Sequence, residues 1–166
     1  MQDENPYSAP NATVADIHDG SLVLADRGMR LVAAIIDTLL LLAVLVPIMF
    51  VGGAFTAMMS GGASAGFSIV WALVGFIVFL VVQGFPLNAS GQTWAKKWLK
   101  MKIVDMEGRK PEFGRLIALR YLVVQLIGQI PFVGPLVGFV DVLFIFGDDR
   151  RCLHDKIAGT QVVVAD

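Results

Sequence analysis

Two long apolar stretches dominate the chain. Leu31 to Phe50 is nearly continuous in aliphatic residues, a second run covers Phe67 to about Pro86, and no formal charge occurs anywhere from Thr38 to Ala95. About 20 apolar residues wound as a helix reach roughly 30 Å, the thickness of a hydrocarbon core. The pattern therefore predicts one membrane helix from near Gly28 to about Val51 and a second over 67–86. Pro47 is tolerated inside the first if neighbouring helices satisfy the carbonyl it frees. Between the two, Gly52, Gly53, Ser60, Gly61, Gly62, Ser64 and Gly66 predict a small uncharged loop, with a short interfacial turn around Phe55 to Met59.

The pattern changes from Leu87 to Glu112. Trp94 and Trp98 alternate with Lys96, Lys97 and Lys100, which is an interfacial signature: rings at headgroup depth, ammonium groups in water. Met101 to Asp105 alternates as a strand does, Glu107 to Pro111 is a turn rich in breakers, and Thr160 to Val164 is a second β-branched stretch, so two short strands are expected to pair beneath the membrane. Arg115 to Gly147 is too long for one ordinary span, and Pro131, Gly134 and Pro135 cut it into two short halves.

Charge decides the topology. All 13 Lys and Arg residues fall before Thr38, between Lys96 and Arg120, or after Phe146. The positive-inside rule places those three regions in the cytoplasm, which requires an even number of crossings. The expected fold class is thus an all-α membrane protein: a four-helix transmembrane bundle, helices three and four short or re-entrant, with a small cytoplasmic two-stranded β element. Residues 26–166 form the membrane domain. Residues 1–25, acidic and holding two prolines, read as a disordered cytoplasmic tail, with Asn5 to Pro10 either a short recognition peptide or plain leader. They lack the basic start of a secretory signal, so no cleavage is expected.

Composition supports this placement without naming a substrate. At 166 residues and 56% hydrophobic, the chain is too apolar for a soluble domain of its size. The net charge of -1 hides an acidic start and basic stretches further along and says nothing about partners; the bilayer, and no nucleic acid, is the expected partner. One cysteine, Cys152, makes no internal disulfide; beside Arg150, Arg151 and His154 its pKa would fall, yet no acid/base arrangement accompanies it. His18 and His154 have no companions at metal-ligand spacing, so neither a metal nor a cofactor is expected. The Gly91-Gln92-Thr93 turn lacks the length and ending of a phosphate loop. No nucleophile, metal cluster or cofactor motif suggests an enzyme.

The informative residues are the polar ones that the membrane must tolerate. Asp37 lies seven residues beyond Arg30, and Asp141 seven before Asp148, so both acids sit roughly 10 Å from the cytoplasmic boundary. Seven residues are close to two turns, which puts each pair on one helix face, directed into the bundle. Gln125 and Gln129 on helix three and Gln83 on helix two share that half of the membrane. One reading is a hydrated cavity where Asp37 and Asp141, with Gln125 and Gln129, bind a monovalent cation or a proton. The other is a satisfied polar cluster in which Arg30 or Arg120 neutralises the acids. Gly134 and Gly138, four apart, permit close helix contact either within the fold or between copies.

Three separated segments carry a resemblance: Gly28 to Asp37, Gly91 to Lys97, and Leu153 to Thr160. Together they resemble the RDD family of small membrane proteins, named for one arginine and two aspartates. By matching position these are Arg30, Asp37 and Asp155, which leaves Asp141 an extra acid of this chain; Ala95 departs from the second glycine usual before the lysine. The resemblance implies a multi-helix inner-membrane protein of largely unassigned function, for which transport, including sodium or proton exchange, has been proposed. It also makes Asp155 either a cap for the turn ending at Gly159 or an ion-pair partner of Arg30. The expected function is a bacterial inner-membrane transporter of small ions, both termini cytoplasmic, working as a homo-oligomer or with a larger membrane partner. The alternative is a non-catalytic scaffold whose basic segment, Lys96 to Arg115, binds anionic lipid or a partner.

Overall fold

The computed structural model describes residues 22–62, 64–130 and 132–165. The first long apolar run forms α1, Arg27–Val51, started by Asp26, whose carboxylate accepts the N–H groups of Gly28 and Met29. A short helix, α2 (Ala54–Met59), lies where the interfacial turn was expected. The second run forms α3, Ala65–Ser90, capped by the Ser64 hydroxyl and closed by Gly91, whose φ of 68° is the left-handed geometry that ends helices.

Helix α3 therefore runs four residues past the predicted end at Pro86. Proline cannot donate to the carbonyl four residues earlier. That carbonyl, Val82, instead accepts the indole N–H of Trp94 at 2.7 Å, and the helix continues through the proline.

After α4 (Trp94–Trp98) come β1 (Met101–Asp105) and, at the far end of the chain, β2 (Thr160–Val164). The two strands expected to pair do so, antiparallel, with Met101 opposite Val164 and Asp105 opposite Thr160. Both edges are covered: Ile103 donates to the Gly91 carbonyl, while Ala25 donates to Val162 and Val164 to Val23. Residues 22–25, read from composition as the end of a tail, thus lie along β2, because Leu24 and Ala25 supply the apolar and backbone groups that its open edge lacks. The remaining tail, including Asn5 to Pro10 and His18, lies outside the described residues.

The Arg115 to Gly147 stretch is divided as the breakers predicted. Helix α5 (Phe113–Arg115) continues as a π-helical segment, Leu116–Leu122, and then α6, Val123–Gly128; α7 follows as Val133–Leu143 and tightens into a 3-10 turn, Phe144–Phe146. Helix α8 is Leu153–Ala158. The tightening at Phe144 moves Asp148 off the Asp141 face: Asp141 is buried and Asp148 exposed, contrary to the two-turn spacing argument.

The apolar windows of α1 and α3 have mean hydropathies of 2.7 and 2.6, and only 6% and 0% of them is buried within the chain. A soluble protein buries its most apolar helices, whereas these present Leu39, Ile77, Val81 and Phe85 outward. Both are long and apolar enough to cross a membrane. The packed core lies at the sheet end of the helices, where Ala33, Leu87, Ala95, Ile103, Leu116 and Val162 meet.

Candidate functional site

Polar side chains collect where the helices meet this core. The residues of α1 buried within the chain are Arg30, Ala33 and Asp37, the single face that the seven-residue spacing predicted. Arg30 and Arg120, the latter on the π-helical segment, each form an ion pair with Asp155, whose side chain is fully buried. Thr160 bonds both Arg120 and Asp155, and the Cys152 N–H donates to Asp155 at 3.2 Å. Asp155 is therefore at once a cap of α8 and the shared anion of two guanidinium groups, which joins the two roles that sequence left as alternatives. Burial would push its carboxyl up; Arg120, then His154 and Arg30, hold it well below the usual carboxylate range.

Asp37 belongs to a second cluster. Its Oδ1 accepts from Gln83 Nε2 at 2.9 Å and from the Ala95 N–H at 3.1 Å, its Oδ2 accepts from the Thr93 hydroxyl, and Lys96 Nζ stands 3.8 Å away. Gln83 also accepts the Trp94 N–H at 3.0 Å. An acid on one helix thus caps α4 from outside, and it fastens the Gly91 to Lys96 turn to α1. Ala95 fits where the family prefers glycine because it is helical, not left-handed. Burial, then the charge of Arg120, pushes the Lys96 ammonium down to about 8. Of the five residues expected at the interface, Trp94 and Lys96 turn inward to these partners, while Lys97, Trp98 and Lys100 are exposed.

A third cluster joins α7 to the start of α8. Asp141 accepts the His154 N–H at 2.8 Å and stands 2.6 Å from His154 Nδ1. Cys152 is buried beside them, with Arg30 Nη2 3.6 Å from its sulfur. The neighbouring cations were expected to lower the thiol's pKa; burial outweighs them and raises it to about 11. Burial and Arg120 likewise push His154 down, against the opposing bond to Asp141. Spacing gave His154 no companions at ligand distance, but the fold supplies two, Asp141 and Cys152.

Above this cluster lies a cavity of about 630 Å³. Leu41 and Leu45 of α1, Phe76 and Phe79 of α3, and Val124 and Ile127 of α6 form its apolar walls. Arg120, Gln125, Gln129, Asp141 and His154 give it polar character. The structure therefore brings Asp141, Gln125 and Gln129 to one space, while Asp37 is not among the residues that line it and has its lone pairs occupied. Of the other lining groups, Arg120 was expected only as a counter-charge to the acids and His154 was not expected at all; both are distant in the chain and follow no helical periodicity with Asp141. Gly134 packs against the Gly128 backbone within the fold, whereas Gly138 faces open space at the cavity.

Long apolar helices that the chain itself leaves uncovered, with buried charges gathered at one end, define a small helical membrane protein. The chain belongs to the RDD family, whose sequence model matches residues 24–159. A relative described as an uncharacterized protein of Haemophilus influenzae is 35% identical over 92 residues, 55% of this chain and 56% of the relative. The match thus spans little more than half of that relative's length. No solved structure matches the chain.

Proposed function

We propose that this chain spans the bacterial inner membrane four times, both termini cytoplasmic, and moves a small cation through the cavity, with Asp141 at the ion site. The two arms, 113–128 and 133–146, are each only about 20 Å long at 1.5 Å per residue, so they cross as short, tilted or re-entrant elements against a membrane thinned or hydrated there. The location of every Lys and Arg supports the orientation. The single observation that carries the transport reading is the cavity itself: apolar walls line about 630 Å³ of half-open space beside a carboxylate whose ion-pair partner among the described residues is a titratable histidine. Protein interiors are otherwise close-packed, so a space of this size between helices is a place for a solute.

The ion site shifts from the pair Asp37 and Asp141 to Asp141 alone, with Gln125 and Gln129 on the same wall and Asp37 holding the fold. Alternating access needs two parts that rock around a site, so a chain this small works as a homo-oligomer or with a larger partner. The test is cation-driven proton movement in proteoliposomes under sodium, lithium, potassium and zinc gradients. Asp141→Asn and Gly138→Leu should each abolish flux while the protein stays folded, because Gly138 lines the cavity and a Cβ there meets nothing within 4 Å. Flux unchanged by both would remove the cavity from the mechanism.

The saturation of Asp37 favours a second reading, the scaffold. Asp37, Arg30 and Asp155 would then serve the bundle alone, and exposed Lys97, Trp98 and Lys100 would engage anionic lipid. Absence of flux from folded protein, together with binding to vesicles that contain anionic lipid and not to neutral ones, would support it.

A further inference from the structure

The Asp141, Cys152 and His154 side chains place an oxygen, a sulfur and a nitrogen ligand atom within 4.8 Å of one another. We infer that this cluster binds a borderline-soft divalent metal ion of the zinc or cobalt class, a site that deepens the cavity reading by naming its cation. Binding stands on the cluster alone; only movement of the ion rests on the transport proposal.

The donor set argues for the class. Alkali and alkaline-earth ions prefer oxygen ligands throughout, whereas a thiolate, an imidazole and a carboxylate together select zinc-like ions. With bond lengths of about 2.0–2.3 Å, a tetrahedral zinc keeps its donors roughly 3.3–3.8 Å apart. The Asp141 Oδ2 to His154 Nδ1 separation of 2.6 Å is that of a hydrogen bond, and the widest separation in the cluster is up to 4.8 Å. Both differ from the tetrahedral range by about 1 Å or less, the shift that the donors would make as the ion enters.

The surroundings fit as well. A metal-bound histidine commonly directs its other ring nitrogen at a carboxylate, which fixes its orientation. His154 Nε2 stands 3.9 Å from Asp155 Oδ1, so metal on Nδ1 leaves Nε2–H turned toward that fixed anion. The cavity, which Asp141 and His154 line, leaves the fourth position to water, as in zinc sites that exchange a ligand. On binding, the Cys152 S–H proton and any proton between Nδ1 and Oδ2 pass to solvent, and the sulfur, Nδ1 and the carboxylate each donate a lone pair to the metal. Two ligand anions then balance the dication, while Arg30 keeps Asp155 and the Arg150 carbonyl as acceptors.

The test uses the full chain, purified without a histidine tag, stripped with chelator and titrated with cobalt(II) under anaerobic conditions. Cys152 is the only cysteine in the sequence, so a sulfur-to-cobalt charge-transfer band in the near ultraviolet reports this residue alone. The wild type should develop the band with a one-to-one endpoint and lose it on addition of zinc. Cys152→Ser, near in size, should lose the band while retaining its melting temperature and gel-filtration profile, and Asp141→Asn should weaken it. Absence of the band from folded wild-type protein in excess cobalt would overturn the site, as would a band that survives Cys152→Ser. Alkali-cation flux without a cobalt band would sink the metal site and leave the cavity reading; a band without flux of any ion, zinc included, would do the reverse.

Discussion

At the scale of the residue, the buried carboxylates Asp37, Asp141 and Asp155 each have hydrogen-bonding partners among the described residues. Asp155 accepts from two guanidinium groups and a backbone N–H, so Asp155→Asn would leave Arg30 and Arg120 facing a neutral amide in a site with no exposure. Breaking a buried ion pair from one side costs about 3–5 kcal/mol, and we expect a loss of that size in detergent-solubilised protein, read as a fall in melting temperature. A variant that melts like the wild type would show the triad to be idle. The depressed carboxyl also sets a pH window: its stabilisation is full above the ordinary value of 3.8 and is lost only as pH falls through the lower folded value. Acidification to about pH 4 should therefore leave this linkage intact. Lys96 has the opposite consequence, because its folded pKa near 8 lies below the ordinary 10.5: keeping it charged costs stability below pH 8, and that cost fades as pH rises from 8 to 10.5. NMR titration of the chain after isotopic methylation of its lysines should give a Lys96 midpoint near 8. A midpoint at the ordinary lysine value would mean that water reaches the ammonium.

At the scale of the element, α1, α3, β1 and β2 were legible because each follows from composition and period over its own length, and Pro131 to Pro135 forecast the division between α6 and α7. The errors lie where one element completes another. Pro86 ends a helix by local rules, but Trp94 caps the freed Val82 carbonyl, and α3 continues. Residues 22–25 have tail-like composition, yet β2 offers them an unpaired edge. The two glycines of α7 illustrate the same distinction. A Cβ on Gly134 would fall 2.4 Å from the Gly128 carbonyl oxygen, whereas one on Gly138 would meet nothing within 4 Å. Gly134→Ala should force α7 away from α6 and cost about 1–3 kcal/mol, the usual range for overpacking, while Gly138→Ala should be close to neutral. Thermal melts of the two variants test this directly, and equal melting temperatures would refute the close approach.

For the whole molecule, the way the two short arms meet the bilayer decides whether the cavity is a passage. In a Cys152→Ser background, cysteines introduced at Ser60 and at Phe132, which is 92% exposed at the tip between α6 and α7, probe the two expected periplasmic ends. Labelling of both by an impermeant reagent from the periplasmic side is expected for four crossings. Labelling at Ser60 alone would make the arms re-entrant and would open the cavity to the cytoplasm only, a geometry suited to binding and not to passage. Gly134, two residues further on, is unsuitable as a probe because a Cβ there would fall 2.4 Å from the Gly128 carbonyl oxygen.

Hydrophobic runs, breaker positions and the spacing of polar residues determined, without any structure, that this chain carries membrane-length helices, a small sheet and acids that become buried. These are properties of single segments, written in nearest-neighbour chemistry and helical period. The partners of those acids were decided by tertiary structure alone. Asp37 and Asp141 look alike in the sequence, each seven residues from a charged boundary. The fold gives the first to Gln83, Thr93 and Ala95, which occupy its lone pairs, and the second to His154 beside Cys152 and a cavity. Hydrogen-bond saturation depends on what the remainder of the chain brings within 3 Å, and no spacing within one helix encodes it.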